Sequence, residues 1–178
     1  MKFIEPDIRY KEKAGEYIQE FINAGSEIVN GSGGLDSHLM KDGYEAWLEE
    51  EERRSDVSRK EPGEVNASTF FYVREDDDRI LGMVNIRYGL NEFLFHEGGH
   101  IGYSIRPSEQ GKGYATQMLH QALWFCRFIG LEKVLVVCDK NNIASARVIQ
   151  KCGGILENEF YSEHYKEVLQ RYWISTEV

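Results

Sequence analysis

The chain has 178 residues, of which 42% are hydrophobic and 12% aromatic, and it carries a formal net charge of −9. This length and composition predict one domain with a sizeable core and argue against a disordered chain. The acidic balance argues against nucleic-acid binding, which needs a basic face, and no apolar run approaches membrane-spanning length. We therefore expect neither a nucleic-acid nor a membrane partner.

The three cysteines, Cys126, Cys138 and Cys152, are widely spaced and lie in apolar stretches. Their odd number predicts reduced, partly buried thiols, and the absence of CxxC spacing argues against a cysteine-rich zinc site. The N-terminal segment MKFIEPDIRYKEK lacks an apolar signal region. Together these features lead us to expect a cytoplasmic protein.

Hydrophobic periodicity predicts two helices in the first third of the chain, over residues 11–24 and 44–54. The connection between them, residues 25–43, is rich in glycine and long for a compact domain, which indicates a mobile or functional segment. The run of glutamates at 49–52 is interpreted as a solvated face of the second helix. A polar linker over 55–66 follows.

After this linker the pattern changes to strands. Two β-rich runs around an acidic turn predict a hairpin, and a continuous apolar run predicts a central strand covered on both faces. Helices are predicted over 114–129 and from the capping residue Asn142 to about Cys152. The predicted strands are 69–74, 80–88, 100–105, 134–138, 155–161 and 168–174. This order predicts an α/β fold with a mixed, partly parallel central sheet flanked by helices.

The segment IRPSEQGKGYA, residues 105–115, must leave a strand, turn sharply and enter a helix. Gly111 and Gly113 permit unusual φ angles and close backbone approach. The first amides of a helix lack internal acceptors, so with the helix dipole and Lys112 they form an anion site suited to a diphosphate. The alternative is a plain strand-to-helix turn. Neither P-loop spacing nor the GxGxxG fingerprint is present.

Residues 105–119 resemble the acyl-CoA-binding segment of the GNAT superfamily of N-acetyltransferases, and Gln110, Gly113 and Ala115 fit its pattern. Residues 138–153 resemble the second cofactor segment of that family, in which an Asn and a Ser head a helix after the central strand. The resemblance runs from about Thr69 to the C-terminus. It is strongest to uncharacterised bacterial members and to ribosomal-protein N-terminal acetyltransferases. The first 67 residues match only in having two helices.

The resemblance implies one GNAT-like domain over 1–178, with a helical acceptor-side region at 1–67 and a cofactor-binding core at 68–178. It implies acetyl-CoA as cosubstrate and no metal. The pantetheine would pair with backbone near Ile105, like an added strand, and the pyrophosphate would sit on the amides of the glycine loop. The implied cofactor-binding residues are Ser104, Ile105, Gln110, Gly111, Lys112, Gly113, Tyr114, Ala115, Asn142 and Ser145.

The implied reaction is transfer of an acetyl group to a primary amine of a small molecule or peptide by direct attack. We expect the acceptor to be held by the loop between the first two helices, by residues near Tyr44 and Trp47 and by the final hairpin at 162–166, and a homodimer is a further expectation. The alternative function is a non-catalytic acyl-CoA-binding or regulatory module.

The proton chemistry departs from the family pattern. Many members use a tyrosine in the second cofactor helix to protonate the leaving thiolate, and the matching position here is Ile149. A base is also needed, because a lysine amine has a pKa of about 10.4. His100 aligns with a position that often carries Glu, so it is the candidate base, with an ordinary strand histidine as the alternative. Glu97, and less so Glu92, are further candidates.

Residues 96–100, HEGGH, also match the HExxH signature of zinc proteases. That signature requires a helix that places both histidines on one face. Gly98 and Gly99 would cost such a helix about 2 kcal/mol relative to alanine, and a strand with Pro107 behind it follows. We therefore predict that this motif holds no metal.

Overall fold

A computed structural model describes residues 1–26 and 28–177 of the protein. The α-helices are Lys11–Asn23 (α1), Leu35–Lys41 (α2), Tyr44–Ser55 (α3), Tyr114–Phe128 (α4) and Ile143–Lys151 (α5). The strands are Lys2–Ile4 (β1), Ala67–Arg74 (β2), Arg79–Arg87 (β3), Ile101–Ile105 (β4), Lys133–Asp139 (β5), Ile155–Ser162 (β6) and Glu167–Ser175 (β7). The predicted α/β class is confirmed.

The strands form two antiparallel sheets, in the orders β1-β2-β3-β4 and β5-β7-β6. The predicted hairpin is β2–β3, which pairs from Ala67↔Arg87 to Arg74↔Arg79. Strand β1 was not expected from the sequence, because three residues are too few to show a period. It adds to the edge of β2 through pairs such as Phe3↔Tyr72.

Strands β4 and β5 lie side by side between the two sheets, where the sequence predicted a single mixed sheet. They join at one end only, where the His100 amide donates to the Leu135 carbonyl at 2.7 Å. Gly99 makes this approach possible, because a Cβ there would lie 2.6 Å from the Leu135 oxygen. Beyond this contact the strands separate, and a cleft opens between them.

Apolar layers cover both faces of the first sheet, because successive side chains of a strand point to opposite faces. On β2, Phe70 and Tyr72 belong to the cluster that includes α4 and α5. Phe71 and Val73 belong to the cluster that includes α1 and α3. The helical first third therefore packs on the face opposite α4. The three cysteines are free and buried.

Two details of the first third differ from expectation. The glycine-rich stretch, in which Glu27 lies outside the described residues, contains the short helix α2, which buries Leu35. In the glutamate run, Glu51 is only 6% exposed, and its Oε2 accepts a bond from the Thr69 amide at 3.0 Å. Glu51 follows the buried Trp47 by one turn, so both face β2. Burial raises the pKa of Glu51 to about 6.

Candidate active site

The glycine loop between β4 and α4 leaves the start of the helix open. Gly111 and Gly113 have φ angles of 75° and 83°, in the left-handed region that favours glycine. No side chain caps the first turn of α4, which begins at Tyr114. Its first amides therefore lack a side-chain acceptor and are available to an anion.

A cleft of about 470 Å³ lies between this loop and α5. Apart from Lys112, every cofactor-binding residue predicted from the sequence is among those that line it. The predicted residues on its wall are Ser104, Ile105, Gln110, Gly111, Gly113, Tyr114, Ala115, Asn142 and Ser145. Lys112 is instead bound to a carboxylate, with Nζ 2.8 Å from Oε2 of Glu109.

Strand β4 presents backbone to the cleft. The Arg87 amide donates to the His100 carbonyl and the Arg106 amide to the Leu81 carbonyl, each at 2.8 Å. Bonded pairs alternate along an antiparallel ladder, so the peptide groups of Tyr103 and Ile105 face away from β3. Gln110 Nε2 donates to the Ile105 carbonyl at 3.1 Å and fixes the start of the glycine loop there.

Helix α5 begins on the other wall of the cleft and is capped. The Oδ1 atom of Asn142 accepts the Ser145 amide at 3.0 Å. Ser145 Oγ in turn lies 2.9 Å from the hydroxyl of Tyr103 on β4. Burial raises the pKa of Tyr103, so its hydroxyl keeps its proton. Sequence patterns do not single out Tyr103, because its contact with Ser145 depends on the spacing of β4 and α5.

Two basic residues on α5, Arg147 and Lys151, also line the cleft. They are four residues apart and therefore share one side of the helix. Neither forms an ion pair within the described part of the chain. The sequence reasoning missed them, although basic residues four apart behind a helix cap are a readable signal.

A second cavity, of about 250 Å³, adjoins the cleft. The two share Asn30, Tyr103, Asn142 and Ser145 on their walls. The second cavity is further lined by charged and aromatic side chains, namely Arg87, Phe93, Glu97, Asp139, Tyr165 and Glu167. Asp139 raises the pKa of Glu167 through repulsion between their carboxylates.

The two predicted catalytic residues lie in different environments. Glu97 is half-buried on the wall of the second cavity, and its Oε2 accepts a bond from Ser162 Oγ at 2.8 Å. His100 is 6% exposed and is not among the residues that line either cavity. Its Nδ1 accepts the Leu135 amide at 2.9 Å. Burial, and then the charge of Arg87, lower its pKa to about 4.

The HExxH segment does not form the helix that a zinc protease needs. A single π-helical turn covers Leu94–Gly98, and Gly99 then adopts a φ of 67°. Within 1–26 and 28–177, no group of His, Cys, Asp and Glu side chains could hold a metal ion. Glu92 is exposed and is not on the wall of either cavity.

Tyr44 and Trp47 themselves cannot contact an acceptor, because both are fully buried on the inner side of α3. The Tyr44 hydroxyl donates to the Asp7 carbonyl and the Trp47 indole to the Gly33 carbonyl. From the final hairpin, Tyr165 lines the second cavity, and Ser162 binds Glu97. Ile149 is fully buried in the core and is not among the cleft-lining residues.

An open helix start beside a splayed strand pair is the architecture of an enzyme that takes an acyl group from coenzyme A. Residues 17–155 match the acetyltransferase (GNAT) domain family. The chain belongs to this family, whose members use acetyl-CoA as cosubstrate, and it is an acetyl-CoA-dependent N-acetyltransferase.

The relatives of the chain agree with this assignment. An uncharacterized N-acetyltransferase of Bacillus subtilis (strain 168), YnaD, is 28% identical over 149 residues, which cover 78% of this chain and 84% of YnaD. The fold is similar to the ribosomal-protein-S5-alanine acetyltransferase from Vibrio fischeri, with a TM-score of 0.68, 18% identity and coverage of 98% and 92%. An N-acetyltransferase from Staphylococcus aureus Mu50 has a TM-score of 0.66, 15% identity and coverage of 99% and 98%.

A variant of the spermidine N-acetyltransferase SpeG from Vibrio cholerae also shares the fold, with a TM-score of 0.59, 16% identity and coverage of 99% and 95%. These structures differ in the acceptors that their names state, so the shared fold does not select one. No helix in the described residues is both long and apolar enough to cross a membrane.

Proposed function

We propose that the protein transfers the acetyl group of acetyl-CoA to a primary amine of a small molecule or peptide by direct attack. The cleft would hold the cofactor, and the second cavity would hold the acceptor. The observation that carries this proposal is that the two cavities share Tyr103, Asn142 and Ser145. A thioester at this junction would be reachable by an amine from the other side.

The cofactor would bind along surfaces of different chemistry. The amides at the start of α4, from Gly111 to Ala115, suit the pyrophosphate because no side chain competes for them. The peptide groups of Tyr103 and Ile105 that face away from β3 suit the amide groups of the pantetheine, although the Ile105 carbonyl already accepts a bond from Gln110. Arg147 and Lys151 add positive charge on the facing helix. Lys112 stays a predicted contact, although Glu109 holds its ammonium.

We propose Glu97 as the base. An amine must lose a proton as its nitrogen attacks the acetyl carbonyl carbon, and Glu97 is a carboxylate on the acceptor cavity wall. His100 remains a candidate from the sequence. Its Nδ1 lone pair is already bound to the Leu135 amide, which leaves an N–H donor and no free acceptor at the ring. Its contacts support a positioning role between the sheets.

We propose Tyr103 as the donor to the leaving thiolate, in place of the tyrosine that is absent at position 149. As the carbon–sulfur bond breaks, the sulfur takes up a proton, and Tyr103 is protonated and lies at the junction of the two cavities. A thiol with a pKa of about 8.5 is a good leaving group as its thiolate, so we expect proton donation by Tyr103 to contribute only modestly to the rate.

The division of the chain into an acceptor-side region at 1–67 and a cofactor-binding core at 68–178 stays a prediction. Residues 68–178 supply most of both cavities, and the first 67 residues add Phe21, Ser26, Ile28 and Asn30 to the cleft and Asn30 and Gly31 to the second cavity. We therefore propose one functional domain over 1–178. The expected homodimer, cytoplasmic location and absence of a metal stay predictions.

The test is a thiol-release assay with acetyl-CoA and a panel of primary amines. We expect release that requires both substrates and that falls about 100-fold in Glu97→Gln, the lower end of the usual effect of losing a general base. Glu92→Gln, at an exposed neighbour, is the matched control. Tight binding of acetyl-CoA with no turnover on any amine would favour the non-catalytic module instead. Failure to bind acetyl-CoA would contradict both functions.

A further inference from the structure

Arg87, the last residue of β3, ends in the acceptor cavity. Its Nη1 donates to the carbonyls of Gly98 and Gly99 at 2.9 and 3.0 Å. Its Nη2 lies beside β4, 3.5 Å from where a Cβ would stand on Gly102. A guanidinium has five N–H donors, so two carbonyls on one nitrogen leave most of them free.

The charge of Arg87 has no carboxylate partner within the described residues. Arg87 is half-buried, whereas the two buried arginines do have a carboxylate partner: Arg106 lies 2.9 Å from Glu20, and Arg171 lies 2.9 Å from Glu157. Burial lowers the pKa of Arg87, which reflects the cost of holding an unpaired cation away from water. A cation kept at this cost on a cavity wall indicates an anionic group in the ligand.

We propose that the acceptor is an amino acid with a free carboxylate close to its amine, and that Arg87 binds this carboxylate. The inference rests on the proposed function. Gly102, beside Nη2, directly precedes Tyr103, where the two cavities meet. Adjacent residues of a strand are about 3.4 Å apart. Nη2 therefore lies beside β4 one residue from the junction of the two cavities, which favours an acceptor whose carboxylate is close to its amine, as in an α- or β-amino acid.

The rest of the cavity suits the amine end. Glu97 lies next to Gly98, which Arg87 holds, and Asp139 and Glu167 lie on the second sheet. The repulsion that raises the pKa of Glu167 would be relieved by an ammonium group. A zwitterion in this cavity would thus meet the Arg87 cation together with the carboxylates of Glu97, Asp139 and Glu167.

The experiment compares amino acids with their amides, in which an uncharged amide group replaces the carboxylate. We would measure thiol release from acetyl-CoA with L-leucine, L-phenylalanine, L-glutamate and β-alanine. Each of the first three is compared with the amide of its α-carboxylate, and β-alanine is compared with the amide of its single carboxylate. We expect kcat/KM to be at least about tenfold higher for the preferred acid than for its amide, as for one charged hydrogen bond. Arg87→Gln should remove this preference by raising KM for the acid and leave the amide unchanged.

Arg127→Gln, which removes an exposed charge at the end of α4, is the control. It should leave kcat/KM unchanged for both the acid and the amide. Arg87→Lys keeps the charge and should retain part of the preference. If Arg87→Gln does not fold, Arg87→Lys becomes the test variant, and a reduced preference for the acid is the expected result. The affinity for acetyl-CoA, measured by calorimetry, should be the same in all three variants.

Two results would overturn the inference and leave the proposed function intact. One is an equal kcat/KM for acids and amides, or an equal loss of kcat/KM for both in Arg87→Gln. Either outcome would mean that Arg87 only stabilises the backbone at Gly98 and Gly99. The other is turnover of polyamines or peptides with none of the amino acids. Absence of thiol release with every amine, despite acetyl-CoA binding, would remove the proposed function and the inference with it.

Discussion

The two helices that begin at the cleft, α4 and α5, start in opposite ways. Helix α4 follows Gly113, which has a φ of 83° and no side chain, so its first turn has no cap. Helix α5 follows Asn142, whose Oδ1 accepts the Ser145 amide at 3.0 Å. The first amides of α4 have no side-chain acceptor and can bind a ligand, whereas the first turn of α5 is capped by a side chain of the protein. The comparison supports the proposal that the pyrophosphate binds at the start of α4 and that α5 contributes side chains.

Converting the start of α4 into one like α5 is the strongest test of this contrast. Gly113→Asp would place a carboxylate over the open amides, where it would both cap the helix and repel a phosphate. We expect the Kd for acetyl-CoA to rise by about 100-fold, which corresponds to about 2.7 kcal/mol. Isothermal titration calorimetry measures this directly.

Gly113→Asn is the matched control, because it has the same shape and backbone strain without the charge. No atom lies within 4 Å of a Cβ at this position, so neither variant should clash. Binding of acetyl-CoA to Gly113→Asp at nearly the wild-type Kd would show that these amides do not hold the pyrophosphate.

The contribution of α5 side chains to acetyl-CoA binding can be tested by replacing its two basic residues. Replacing Arg147 and Lys151 together by glutamine should raise the Kd for acetyl-CoA by about 30-fold, at about 1 kcal/mol for each lost contact to an anion. The effect should shrink as salt is added, because exposed charges are screened. Arg127→Gln removes a charge away from the cleft and should leave the Kd unchanged. A Kd independent of both salt and these residues would contradict the role of α5.

The contact between β4 and the first turn of α5 should matter for the reaction rather than for binding. Tyr103→Phe removes the hydroxyl that bonds Ser145 Oγ. We expect kcat to fall by about tenfold, less than for a typical general acid because a thiolate is a good leaving group. The Kd for acetyl-CoA should stay within about twofold. A Tyr103→Phe enzyme with unchanged kcat at every pH would exclude Tyr103 as the proton donor.

The smallest effect concerns the cap of α5. Asn142→Ala leaves the Ser145 amide without its acceptor and should lower the free energy of unfolding by about 1 kcal/mol. Chemical denaturation measures this loss, and Asn142→Asp, which keeps the cap, should restore most of it. Binding of acetyl-CoA should weaken less than in Gly113→Asp. The opposite ranking would move the main anion site from α4 to α5.

Local features were readable from the sequence because they depend on neighbouring residues. The glycine loop, α4 and the Asn142 cap all follow from short-range rules on φ angles, periodicity and capping, and each lies where it was predicted. The family followed from the same two segments. Glu51 shows the limit of such rules, since a run of four glutamates does not reveal which one a helix turns toward a sheet.

The acceptor side depends on contacts between distant parts of the chain. Arg87 lines the second cavity only because β3 ends where Gly98 and Gly99 turn back, and Tyr103 meets Ser145 only because β4 and β5 separate beyond His100. The acceptor was expected near Tyr44 and Trp47, yet packing on β2 buries both side chains.

The sequence by itself therefore determined the fold class, the family and the open start of α4, because glycine spacing and helix periodicity are local properties. Only the tertiary structure decided which side chains share a cavity: Glu97 rather than His100 lies on its wall, and Arg87 lies there without an ion pair to any of the described residues. The physical reason is that burial and charge pairing are set by strand register and by the packing of segments far apart in the chain.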